Sequence, residues 1–70
     1  MATTLGQNIK KLREESNISQ RKLAQVIGVD NSNIARWESE SHKPNAESLY
    51  KLAQFFDVSI EYLMGVAPYG

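Results

Sequence analysis

Seventy residues allow one domain, and a chain this short buries only about 60% of the surface its unfolded form exposes. No cysteine, one histidine and eight scattered carboxylates exclude a disulfide framework and a thiolate zinc site, so stability must come from an apolar core drawn from 41% hydrophobic residues. The formal net charge is zero, which argues weakly against a polyanionic partner, yet the charge is uneven: residues 1–29 carry five basic and two acidic groups, residues 30–70 three basic and six acidic. That asymmetry allows one basic face on a neutral protein, although charge alone favours ordinary solvated helix faces.

Thr4 to Ser16 read as the first helix. Leu5, Ile9 and Leu12 recur at i, i+4, i+7 and form one apolar stripe, and Asn17 follows as a residue that tolerates the left-handed conformation closing a helix. Ser19 is the N-cap expected for a second helix, Gln20 to Ile27, whose inward face is Leu23, Ala24 and Ile27; Gly28 ends it. Asp30 caps a third helix, Asn31 to Ser39, and its charge suits the positive end of the helix dipole. Ile34 and Trp37 form its buried face, and Asn31, Ser32, Asn33 and Arg36 its exposed one.

The polar run Ser39 to Pro44 breaks the chain, because the residue before proline disfavours helix. Asn45 caps a fourth helix, Ala46 to Phe56, with Leu49, Leu52, Ala53 and Phe56 inward. Ser59 caps a short fifth helix, Ile60 to Met64, ended by Gly65, and residues 66–70 read as a loose tail after a domain spanning 1–65. The expectation is an all-α, compact five-helix bundle. No apolar run exceeds three residues, far short of the roughly 20 needed to span a bilayer, and Met1–Thr4 lack a secretory pattern, so a cytoplasmic location is expected.

The strongest signal is residues 20–39, QRKLAQVIGVDNSNIARWES. Ala24 must be small where the next helix packs across it, Gly28 reverses the chain, and Ile34 and Trp37 pin that helix at i, i+3. What remains is a helix held on one side with a polar outer face, a shape that fits the major groove, about 12 Å wide. This stretch resembles the helix-turn-helix of the Cro/phage-repressor (XRE) family, which has alanine, glycine and a buried aliphatic where Ala24, Gly28 and Ile34 stand. Residues 8–13 (NIKKLR), Leu52-Ala53 and Phe56-Asp57-Val58-Ser59 resemble its first helix, fourth helix and the junction to a fifth, so the resemblance covers roughly residues 5–65.

The resemblance implies a lambda-repressor-like DNA-binding fold with the helix-turn-helix in helices 2 and 3. It implies base reading by Asn31, Ser32 and Arg36, with Asn33 beside them. Asn pairs through two hydrogen bonds with adenine and Arg with guanine. It implies phosphate contacts from Gln20, Arg21 and Lys43, with His42 read as an exposed loop residue. It also implies a structural ion pair between Arg13 and Glu38, and Trp37 is read as core rather than as a stacking platform. One departure stands out: where many members have glycine two residues after the glutamate, this chain has Glu40. A non-glycine residue at positive φ is strained by roughly 1 kcal/mol, and its carboxylate would repel phosphates, so the loop is expected to differ there.

No nucleophile with a partner base, phosphate loop or metal cluster suggests an enzyme, and no cofactor or small-molecule ligand is expected. The main reading is a transcriptional regulator, a repressor, binding double-stranded DNA as a homodimer on a pseudo-palindromic operator with half-sites about 34 Å apart. Ile60, Tyr62, Met64, Val66 and Tyr69 either supply the dimer contact or form a local lid on the core. The alternative is a helix-turn-helix used as a protein-interaction module, such as an antitoxin or a coactivator-like adaptor.

Overall fold

Five side chains that can bond a nearby backbone N–H begin the five helices. In the computed structural model, which describes residues 3–67, these helices are α1 (Leu5–Glu15), α2 (Gln20–Ile27), α3 (Asn31–Glu38), α4 (Ala46–Phe56) and α5 (Ile60–Leu63). Thr4, Ser19, Asp30, Asn45 and Ser59 are the N-caps, each accepting a backbone N–H two or three residues on. Thr4 adds a full capping box, because the Gln7 side chain accepts the Thr4 N–H in return. The helix limits match the sequence expectation to within one residue at each end, and no strand occurs among the described residues.

The core is built from one stripe of each helix. Ile9, Leu23, Ile34, Leu52 and Leu63 are fully buried, joined by Ala24, Ile27, Trp37 and Ala53. Leu5, Leu12, Leu49 and Phe56 pack around them, partly buried. Leu63 was not among the expected core residues, yet α5 places it under the bundle between α4 and α1.

Two close approaches fix how α1 sits. Gly6 faces the end of α3, where a Cβ would lie 2.5 Å from the Trp37 carbonyl oxygen and 2.9 Å from that of Glu38, so only glycine allows this packing. Asn8 is buried and ties α1 to α5: its amide donates to the Tyr62 and Leu63 carbonyls at 3.2 and 3.0 Å, and its Oδ1 accepts the Thr3 hydroxyl at 2.6 Å. The Leu63 carbonyl at the end of α5 would otherwise be orphaned beneath α1, whereas that of Tyr62 also accepts the Gly65 N–H at 3.0 Å.

The chain beyond Gly65 is not loose from its first residue, as the sequence suggested. The Val66 and Ala67 N–H groups both donate to the Glu61 carbonyl, at 2.9 and 3.3 Å, which closes the end of α5. Tyr69 lies outside the described residues.

Candidate nucleic-acid interface

α2 and α3 form a rigid pair because the turn between them is fully bonded. Gly28 adopts φ 77° and ψ 37°, and the N–H groups of Gly28 and Val29 both return to the Ala24 carbonyl, at 2.8 and 3.0 Å. A Cβ at Gly28 would meet nothing within 4 Å, so its left-handed backbone, not lack of space, calls for glycine. Ala24 and Leu23 are buried, and α3 inserts Ile34 and Trp37 into the same core.

With that side of α3 fixed, its free face is set by helical geometry. Asn31, Ser32, Ala35, Arg36 and, just past the helix, Ser39 are exposed; Asn33 lies at the flank, half-buried. The sequence groups Asn33 with the outward residues and gives no sign of Ala35. Ala35 belongs to the outer stripe by its i+3 and i+4 relation to Ser32 and Asn31.

At the start of α3, Asp30 Oδ1 accepts both the backbone N–H and the hydroxyl of Ser32, at 2.9 and 2.8 Å. The backbone bond, then the hydroxyl bond, holds the Asp30 carboxyl below its ordinary value of 3.8. Arg36 adds a weaker pull in the same direction.

Behind this face sits a second polar group. Arg13 Nε lies 2.6 Å from Glu38 Oε2 and Arg13 Nη2 3.1 Å from Oε1, a two-point pair with side chains only 12% and 6% exposed. Arg13 also donates to the Ile18 carbonyl at 2.9 Å. Gln20 Nε2 donates to Glu38 Oε1 at 3.1 Å, a contact that spacing in the sequence could not reveal. The Glu38 hydrogen bond raises the Arg13 guanidinium above its ordinary value, so Arg13 keeps its charge beside Glu38.

Arg21, His42 and Lys43 are exposed. Glu40 takes φ 65°, so the loop keeps a left-handed residue at this point without glycine. Its carboxylate does not stand free but accepts the Thr4 hydroxyl at 2.9 Å. The expected departure of the loop is therefore a departure in residue type, with the positive φ retained.

Met64 and Val66 are 47% and 72% exposed, while Ile60 and Tyr62 are half-buried. Among the described residues no group of His, Cys, Asp or Glu is arranged to hold a metal ion, and no helix is long and apolar enough to cross a membrane.

A helix-turn-helix family profile matches residues 9–63. The uncharacterized HTH-type transcriptional regulator YobD of Bacillus subtilis is 35% identical over 60 residues, 86% of this chain and 54% of that protein. The P22 c2 repressor of Salmonella phage P22, solved in complex with a synthetic operator, superposes with a TM-score of 0.87 at 31% identity, covering 93% of this chain and 98% of that one. SinR of Bacillus subtilis in complex with DNA gives a TM-score of 0.78 at 33% identity, covering 86% and 97%. The chain spans about half the length of the curated regulator YobD. With the profile covering most of the chain and the fold shared with the P22 repressor and SinR, the chain belongs to the XRE-type helix-turn-helix family.

Proposed function

We propose that this chain is a sequence-specific double-stranded DNA-binding transcriptional regulator that acts as a repressor, with α3 in the major groove. The observation carrying this reading is that α3 is pinned by Ile34 and Trp37 while Asn31, Ser32 and Arg36 stand exposed on its opposite face. A helix anchored on one side loses little freedom on docking, so its hydrogen bonds to bases count towards discrimination rather than towards ordering the reader. The likeness to the P22 repressor solved with an operator, and to SinR solved with DNA, supports the same reading.

Within it, Arg36 takes guanine O6 and N7, Asn31 takes adenine N6 and N7, Ser32 meets a base edge, and Asn33 stands at the flank. Gln20, Arg21 and Lys43 contact phosphates and set the register. Gln20 has a second amide N–H for that contact, the first being engaged by Glu38. The exposed Met64 and Val66 form the contact between two copies, so that paired α3 helices read a pseudo-palindrome with half-sites about 34 Å apart. A cytoplasmic location fits this role.

The test is selection of bound sequences from a random library at about 150 mM salt. Recovery of one palindromic motif supports the proposal; weak, salt-sensitive binding with no motif refutes it and turns attention to a protein partner.

A further inference from the structure

The Ser32 hydroxyl is engaged before any partner arrives. Its Oγ lies 2.8 Å from Asp30 Oδ1. An ionised carboxylate can only accept, so serine must give its single proton to Asp30. Two lone pairs are all that Oγ has left to offer. A serine in the major groove ordinarily bonds to donors or acceptors alike, because its hydroxyl rotates to suit. Here a second bond, from the Ser32 backbone N–H to the same oxygen at 2.9 Å, fixes the carboxylate against the hydroxyl and removes that choice. Asp30 is exposed and kept ionised by these bonds, so its other oxygen is also an acceptor.

We propose that Asp30 makes Ser32 an acceptor-only reader, so that α3 selects an amino base, adenine or cytosine, on the strand facing Ser32 and rejects guanine or thymine there. The proposal rests on the reading of α3 as the major-groove helix. In that groove adenine N6 and cytosine N4 carry the donors, while guanine O6 and thymine O4 accept. Ser32 Oγ opposite a keto oxygen would leave two acceptors facing each other with no proton between them, and the Asp30 charge adds to the repulsion. Every base pair has one amino and one keto edge, so this device decides which strand carries which partner.

A plain capping role for Asp30 makes a different prediction. Asp30→Ser keeps a cap of comparable quality but removes the carboxylate that traps the hydroxyl. Operators are selected with the full chain in four forms: wild type, Asp30→Ser, Ser32→Ala and Ser32→Thr. Urea denaturation confirms that each is folded.

In the wild type, one position of each half-site should prefer an amino base by about tenfold. Asp30→Ser and Ser32→Ala should lose that preference at that position alone, and Ser32→Thr, which keeps a hydroxyl beside Asp30, should retain it. A base analogue lacking the exocyclic amino group should weaken wild-type binding by about tenfold and leave Ser32→Ala unaffected. A keto base at the position lost in Ser32→Ala, or an amino preference that survives in either Asp30→Ser or Ser32→Ala, overturns the proposal while the motif itself upholds the regulator reading. Absence of a motif from all four proteins overturns both.

Discussion

Gln20 Nε2 lies 3.1 Å from Glu38 Oε1, and the same carboxylate receives Arg13 through Nε at 2.6 Å and Nη2 at 3.1 Å. One side chain at the end of α3 therefore joins the first residue of α2 to the last turns of α1. The three helices that frame the candidate reading face share a single charged anchor, and that anchor is shielded from water.

Breaking the anchor should be costly, because removing one partner of a shielded pair strands the other. Glu38→Ala is expected to lower unfolding free energy by about 3 kcal/mol, measured by urea denaturation. Replacing both partners, as in Arg13→Met with Glu38→Leu, should recover much of that loss. A cost below about 1 kcal/mol for Glu38→Ala would mean that the pair is screened like an exposed one.

Gly6→Ala should destabilise by about 2 kcal/mol, since its Cβ would meet the carbonyl oxygens of Trp37 and Glu38, which cannot give way even if the Glu40 side chain beside them does. Thermal unfolding checks this. No fall in Tm would show that α1 can slide along α3 at little cost.

Glu40→Gly is expected to act in the opposite direction. Relief of a positive φ outweighs the lost Thr4 bond and glycine's added freedom in the unfolded chain by about 0.5 kcal/mol, a rise in Tm of about 2–4 °C. Glu40→Ala, which keeps the strain and loses the bond, should melt lower than wild type.

Acid should expose the Asp30 contribution. Its folded pKa lies below its ordinary value of 3.8, so its stabilising effect is complete above that value and disappears as pH falls through the folded one. Side-chain NMR titration should give an Asp30 midpoint below 3.8, and Asp30→Asn should show a shallower loss of stability with falling pH. A midpoint at or above 3.8 would contradict the Ser32 bonds as drawn.

What could be read from the sequence was local. Ser19, Asp30, Asn45 and Ser59 announce their helices because a cap bonds a backbone group two or three residues away, and Gly28 announces its turn because the turn itself needs φ above zero. What could not be read depends on partners distant in the chain. Gly6 is required by carbonyls of α3, Asn8 answers carbonyls of α5, and Gln20 meets Glu38 only after α2 and α3 have packed. Ala35 is silent for another reason: a small apolar residue carries no sign of exposure until the helix is fixed in rotation by Ile34 and Trp37.

The central claim is that α3 reads bases, and Arg36 tests it most directly. Affinity of wild type and Arg36→Ala is measured on the selected operator and on unrelated DNA at the same salt, with Lys43→Ala as the phosphate-contact control. Arg36→Ala should weaken operator binding by about 5- to 150-fold, with little effect on unrelated DNA and relaxed choice at one G·C pair. Lys43→Ala should weaken both alike and reduce the salt slope by about one. Equal losses on both DNAs for Arg36→Ala, or no loss on either, would contradict base reading by α3.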